Sequence, residues 1–431
     1  MHPVTVPESE GVPSTREQAA LLASSAFGAG GTGLTGRVRG WLRDPAWLGT
    51  VALARASARR RLPRVAFDYL DGGAETEGTM RANRAAFEQL GLRPRMGVTR
   101  GTPSLGTTVL GTEISMPLLL SPVGFTRLLH RDGDVAGTRA ADAAGTLFTL
   151  STMSGHAIEE VATAAGRPQW FQLYFVGGRP GAELLIDRAW AAGFRVLVVT
   201  LDTQITGLRE RDIGNGLYGL TKVTSRNVVR FAPQFVPHPP WLLDFARDGF
   251  RLEIANTSHL RPGGRPFALH EALTSMATHP PTWEDLAWVC QRWPGPVVAK
   301  GVLSGEDAKR AVECGVAALV VSNHGGRQLD GVPATLPALL EVLASVGQEV
   351  EVLVDGGVRR GSDIARAVAL GARAVMAGRA WAYALAGGGR AGVSRILEMF
   401  RVDLDRTLRL LGCDSVASLD RSYLTIPAWD R

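Results

Sequence analysis

Eight short apolar runs recur along the chain, at 117–121, 147–151, 169–174, 195–200, 296–300, 317–322, 351–355 and 374–378. Each stops at polar residues or glycine, as a strand buried on both faces does when it runs out into a loop. Between most of them lie amphipathic helical stretches, at 134–144, 156–165, 180–192, 284–294, 305–314, 336–346 and 362–370. A longer helical pattern at about 390–411 follows the eighth run. Strands alternating with helices form a parallel sheet, and eight is the number that closes one into a barrel. An open dinucleotide-binding sheet would carry a Gly-rich turn after its first strand. Here that turn reads Pro122-Val123-Gly124. The expected fold is therefore α/β, a TIM (β/α)8 barrel with N-terminal helices and a long insertion after strand 4.

The flanking segments fit that plan. Residues 1–45 are rich in Gly, Ser, Thr and Ala, with Gly30-Gly31 amid them, and read as a flexible N-terminal extension. The barrel domain is expected over 46–425. Helical patterns near 46–61, 64–71 and 77–89 precede it, and 107–110 with 113–115 form a hairpin around Gly111-Thr112. Residues 216–281 break the rhythm, with no clear strand–helix unit but with Phe235, Trp241, Phe245 and Phe250 among Lys222, Arg226 and Arg230. A segment of that length inside a compact domain is expected to be a lid or an oligomer contact. The alternative is peripheral contact with a membrane surface or an electron acceptor.

Charge and cysteine usage exclude several classes. The net charge of +6 is spread along the chain without a basic block, so no nucleic-acid partner is expected and an anionic substrate is. Cys290, Cys314 and Cys413 stand far apart with no CxxC pair, which fits a reducing, cytoplasmic compartment and no metal site. The chain opens without a basic start and apolar core, so no signal peptide is expected, and no apolar run is long enough to span a bilayer.

In such a barrel the loops after the strands build the active site. Those strand ends carry Ser121-Pro122-Val123-Gly124, Ser151, Gln172-Leu173-Tyr174, Thr200-Leu201-Asp202, Lys300, Ser322, Asp355-Gly356-Gly357 and Gly378-Arg379. Polar or ionisable groups thus converge on one mouth. After the sixth run comes Ser322-Asn323-His324-Gly325-Gly326-Arg327-Gln328-Leu329-Asp330, which offers an imidazole able to take a proton and a guanidinium shaped for a carboxylate. The Gly-plus-Arg pairs Gly356-Gly357 with Arg359 and Gly378 with Arg379 lie where such barrels hold phosphate. Lys300 supplies a cation, and Ser151, Gln172 and Thr200 supply neutral donors and acceptors. That combination describes a flavin mononucleotide site better than a sugar phosphate site.

These motifs, together with Phe171-Gln172-Leu173-Tyr174, Phe67-Asp68-Tyr69 and Gly72-Gly73-Ala74, make residues 46–425 resemble the FMN-dependent α-hydroxy-acid oxidases and dehydrogenases. The resemblance implies oxidation of an L-2-hydroxy acid to the 2-oxo acid, with His324 as base and flavin N5 receiving the electrons. It implies that Asp202 orients His324, that Arg327, Arg209 and Tyr69 bind the substrate carboxylate, and that Tyr174 bonds the substrate oxygen. FMN would be held by Pro122, Val123, Gly124, Ser151, Gln172, Thr200, Lys300, Ser322, Asp355, Gly356, Gly357, Arg359, Gly378 and Arg379. A homo-tetramer or larger assembly is implied too. Taken on their own residues, Tyr69 reads as core and Arg209 as part of a solvated charge run. Met153 stands where many members carry Trp, Gln204 where Pro is usual, and Gly124 where Ala is frequent. The 216–281 segment and Pro280-Pro281-Thr282-Trp283-Glu284-Asp285 resemble the actinobacterial branch that includes the pre-mycofactocin synthase. The second reading is therefore a flavoenzyme of this fold that tailors a peptide or natural product.

Overall fold

The computed structural model describes residues 49–98, 101–216, 229, 232–249, 253–260 and 263–425. The expectations for 1–45 and for Lys222, Arg226, Arg230 and Phe250 fall outside them. Three helices come first: α1 (Val51–Arg61), α2 (Arg64–Asp71) and α3 (Gly78–Gln89). The Thr50 side chain accepts from Leu53 N and caps α1, and α1 ends where Leu62 turns extended ahead of Pro63. The start of α3 is capped from a distance: the Asp330 carboxylate accepts from Thr79 N at 2.7 Å and Gly78 N at 3.0 Å.

The eight expected strands all form: β1 (Leu118–Leu120), β2 (Thr149–Ser151), β3 (Trp170–Leu173), β4 (Val196–Thr200), β5 (Val297–Val302), β6 (Ala318–Val321), β7 (Glu351–Asp355) and β8 (Ala374–Ala377). They pair in parallel in the order β1-β8-β7-β6-β5-β4-β3-β2. One bridge, Leu120 to Phe148, joins β1 to the approach of β2 and brings the sheet to near closure. Successive side chains of a strand point to opposite faces, and here both faces are buried. One set, including Val198, Val298, Val320 and Leu353, fills the barrel interior. Val109 and Ile114 of the hairpin Thr107–Val109/Thr112–Ile114 join that interior cluster and plug the amino-terminal end.

Helices cover the outside: α4 (Gly133–Ala143), α5 (Ile158–Thr163), α6 (Gly178–Ala191), then α7 (Pro239–Arg247) and α8 (Leu269–Thr278) within the insertion, α9 (Trp283–Arg292), α10 (Gly305–Glu313), α11 (Thr335–Val346), α12 (Gly361–Leu370) and α13 (Arg379–Leu411). One element differs from the sequence reading. α13 begins at Arg379 rather than near 390, because a kink at Gly388 and Gly389 divides it and hides the continuity of its first part. The insertion carries α7 and α8 and, among its described residues, no strand–helix unit. Among its described aromatic residues, Trp241 is buried, stacks with Phe235 at 5.4 Å and Phe245 at 5.0 Å, and donates its indole N–H to Leu128 O at 2.8 Å. Trp241 is therefore a docking anchor and not part of an outer contact surface.

The buried Asp71 carboxylate ties these layers together. It accepts from Arg55 of α1 at 2.5 and 2.7 Å, from the Tyr383 hydroxyl of α13 at 2.6 Å, and from Arg211 at 2.8 Å. Burial alone would raise its pKa, but the hydrogen bonds from Arg55 and Tyr383 outweigh that and hold it well below the usual carboxylate range. The sign follows: its stabilisation is present above the unfolded carboxylate pKa of about 4 and fades as pH falls below it. Asp71→Asn is expected to cost about 2–3 kcal/mol at pH 7, less than a fully buried pair because Arg55 is half exposed. Thermal melts at pH 7 and at about pH 2.5 check this, with a smaller wild-type advantage expected at the lower pH.

Candidate active site

The loop after β6 divides its residues between structure and chemistry. Asn323 exchanges two side-chain hydrogen bonds with Asn83 of α3, both 2.8 Å, and donates to Pro333 O. Gln328 donates to Asp202 O at 2.9 Å and Ile205 O at 2.8 Å, which fixes the loop after β4. With those two anchored, His324 sits at φ 58°, a left-handed conformation uncommon for a non-glycine residue. Gly325 and Gly326 continue the turn at φ 66° and 72°, and a Cβ at Gly326 would lie 2.6 Å from Met80 N. The turn aims the imidazole at the cavity.

His324 Nδ1 lies 3.0 Å from Asp202 Oδ1, and its Nε2 lies 3.5 Å from the Tyr174 hydroxyl. Burial opposes charge on Asp202, but the attraction and hydrogen bond of His324, with Lys300 beyond, hold its pKa below the usual value. A carboxylate that accepts from Nδ1–H leaves Nε2 with its lone pair toward the cavity. Burial raises the pKa of Tyr174 and of Tyr69, so both are phenols that can donate a hydrogen bond.

Arg327 reaches into the same space, with its Nη1 donating to Tyr69 O at 2.8 Å and Gly72 O at 2.9 Å. Its guanidinium carbon stands 5.2 Å from the centre of the Tyr69 ring, and that of Arg209 stands 5.9 Å from it. Burial, with the like charges of Arg209 and Arg379, pushes the Arg327 pKa down to about 9. It remains a cation at neutral pH whose charge favours an incoming anion. Arg209 is restrained by Asp212 at 3.5 Å. The two residues whose local sequence pointed to core and to a solvated face thus both line the cavity.

The rest of the cavity wall comes from β5 and β7 and from residues at or after the ends of β1, β2, β4, β7 and β8. Lys300 Nζ bridges Asp355 Oδ2 at 3.0 Å and Ser322 Oγ at 2.8 Å. Ser151 Oγ donates to Gln172 Oε1 at 3.0 Å. Arg379 donates to Leu70 O, Gly325 O and Gly72 O, and Arg359 to Val358 O. Among the described residues neither guanidinium meets a carboxylate, and burial lowers the pKa of both, that of Arg359 to about 10. Gly356 and Gly357 take φ 87° and 94°, and a Cβ at Gly357 would meet Asn83 O at 2.6 Å.

An FMN requires an anion grip, neutral partners for a ring edge and room against backbone. Gln172 Nε2, Thr200 Oγ1 and Asp355 Oδ1 are buried side-chain atoms that lack a hydrogen-bond partner among the described residues. Buried polar atoms left unpaired are costly, so such a cluster implies a group that completes them. With Arg359, Arg379 and the two left-handed glycines, this donor set fits FMN. Of the residues singled out from sequence, all but Asp202, Gln172 and Ser322 are on the cavity wall, and each of those three is hydrogen-bonded to a residue that is. The sequence reading missed Phe125 and the α8 residues Leu269, Leu273 and Met276, which also line it. Their spacing of four and three residues along one helix face was the available signal.

Comparison with known proteins then decides the family. Residues 58–426 match the family model described as FMN-dependent dehydrogenase. The chain belongs to that family. FMN is its cofactor, and it is an oxidoreductase. The pre-mycofactocin synthase of Mycobacterium tuberculosis is 42% identical over 389 residues, covering 89% of this chain and 96% of that protein. An L-lactate dehydrogenase of Pectobacterium atrosepticum is 42% identical over 373 residues, covering 86% and 95%. Among solved structures, a monotopic membrane (S)-mandelate dehydrogenase superposes with a TM-score of 0.80 at 38% identity, covering 87% of this chain and 98% of that one.

Arg359→Gln tests the anion grip in this FMN-dependent dehydrogenase. Losing one charge-assisted partner is expected to weaken FMN binding by about tenfold to a hundredfold. Titrating apoprotein with FMN and following the quenching of flavin fluorescence measures it.

Proposed function

We propose that the chain oxidises an L-2-hydroxy acid to the 2-oxo acid, with His324 as the base. The observation that carries this reading is the geometry of His324: Nδ1 is committed to Asp202 while Nε2 faces the cavity beside Tyr174. A base so oriented takes one proton from the carbinol group of a bound acid. Asp202 holds the ring in one tautomer and stabilises the imidazolium that results. Arg327 and Arg209 bind the substrate carboxylate, and Tyr69 donates a hydrogen bond to it. Tyr174 donates to the substrate oxygen and so favours its conversion to a carbonyl. When bound, FMN supplies the two-electron acceptor at N5.

The cofactor-binding roles follow the same positions. Arg359, Arg379, Gly357, Gly378 and the Asp355-Gly356 turn would take the phosphate end. Ser151, Gln172, Thr200 and Ser322 would meet the polar edge of the ring, with Pro122, Val123 and Gly124 against its face. Lys300, held by Asp355 and Ser322, would neutralise negative charge that develops on the ring. The two guanidiniums near Tyr69 favour a free carboxylate on the substrate over the peptide-tailoring alternative.

A peripheral contact with a membrane face or an electron acceptor belongs to the same proposal. The exposed Val229, Val236 and Leu243 of the 216–281 insertion support it, and so does the likeness to a monotopic membrane protein. Among the described residues no helix is long and apolar enough to cross a membrane. Free Cys290, Cys314 and Cys413 accord with a cytoplasmic setting. A homo-tetramer or larger assembly is proposed from family membership.

His324→Ala is expected to slow flavin reduction by about 10²–10⁴-fold or more while FMN stays bound. An anaerobic visible spectrum before and after mixing with L-2-hydroxy acids reads both quantities. Loss of FMN from this variant, or reduction at the wild-type rate, would remove His324 from its role.

A further inference from the structure

Across Tyr69 and Tyr174 from the arginines, the cavity wall changes character. Phe125 and Met153 line it there as members of a buried apolar cluster with Val176, Ile254 and Phe267. Leu269, Leu273 and Met276 of α8 pack on that cluster and line the cavity too, as do the rings of Tyr69 and Tyr174. These three positions fall on one face of α8, so the insertion presents a continuous apolar stripe to the site. The charged groups that line the cavity come from the loops after β4 to β8 and from the ends of β5 and β7. From α8 the only titratable lining residue is His270, which is exposed at the rim. Ile205, also on the lining, is 69% exposed, an apolar side chain left in water at the mouth.

An apolar wall facing a carboxylate clamp reads a molecule with an acid at one end and a hydrophobic body at the other. A methyl group or a hydrogen on the carbinol carbon would leave the stripe and Ile205 uncovered. A charged side chain would lose its water against Leu273 and Met276 without finding a partner.

We propose that the site takes 2-hydroxy acids with a bulky apolar side chain, aromatic or long aliphatic, and that α8 of the insertion supplies the wall that selects it. The inference rests on the reading of the site as a hydroxy-acid centre. Each methylene newly buried is worth on the order of fourfold in transition-state binding. Burying a whole aromatic side chain is worth less than that per-carbon sum, so a benzyl in place of a methyl is expected to raise kcat/KM by about thirtyfold or more.

The test uses the FMN-loaded full chain. Anaerobic flavin reduction is followed with glycolate, L-lactate, L-malate, (S)-mandelate and L-3-phenyllactate, and spectral titrations compare pyruvate with phenylpyruvate. The expected order places the aromatic acids well above lactate and glycolate, with malate lowest, and phenylpyruvate binding at least about tenfold tighter than pyruvate. Lactate turnover equal to or above that of the aromatic acids, or equal affinity for the two oxo acids, overturns the proposal. Tight phenylpyruvate binding without turnover of any acid supports the wall and sinks the catalytic reading instead. Leu273→Ala and Met276→Ala are expected to lower the phenyllactate-to-lactate ratio of kcat/KM by about tenfold each. An equal loss for both substrates would mark α8 as mere scaffolding and count against the proposal.

Discussion

Two buried guanidiniums hold the barrel mouth to the segment in front of it. Arg327, from the loop after β6, and Arg379, from the start of α13, both donate to the carbonyl oxygen of Gly72. Arg327 also donates to Tyr69 O, and Arg379 to Leu70 O. Backbone carbonyls satisfy the donors of a cation without neutralising it. The end of α2 is thereby fastened across the cavity, and the cations keep their charge for an incoming anion. Tyr69 reaches the site for the same reason. Had carboxylates taken those positions, the helices would dock as well, but the mouth would have no net attraction for an acid.

The remaining charges are shared out by the same logic. Lys300 is paired with Asp355 and His324 with Asp202, so each of these groups keeps one orientation. One oxygen of each carboxylate stays unpartnered among the described residues. Electrostatic preorganisation of this kind needs no rearrangement when a ligand arrives.

Much of this was legible in the sequence, and the reason is periodicity. A parallel sheet covered on both faces forces continuous apolar runs, and each run ends where the loop begins. All eight strands lie within the runs read from sequence, apart from an extension of β5 to Val302. The loop residues His324, Arg327, Arg359 and Arg379 were legible because they follow strand ends directly. What escaped depends on contacts distant in sequence. The Asp71 cluster joins residues from four separate segments, and nothing local distinguishes Asp71 from an ordinary helix-end carboxylate. Asn83 looks like a surface position until Asn323 is seen against it. The α8 stripe is short and bounded by Gly263-Gly264 and Pro280-Pro281, so its periodicity is weak in the sequence, and Trp241 reads as a contact residue because the carbonyl that its indole meets, Leu128 O, lies 113 residues away.

His324 and the Asp202 carboxylate that it meets sit 122 residues apart, at the ends of β6 and β4, with β5 between them. Their 3.0 Å approach therefore exists only once all three neighbouring strands have paired in register. Pairings this distant in sequence come late in folding, after the local helices. A partly assembled chain with native-like helices would carry the cationic loops and still lack an oriented imidazole. An imidazole fixed on Asp202 thus reports completion of the sheet.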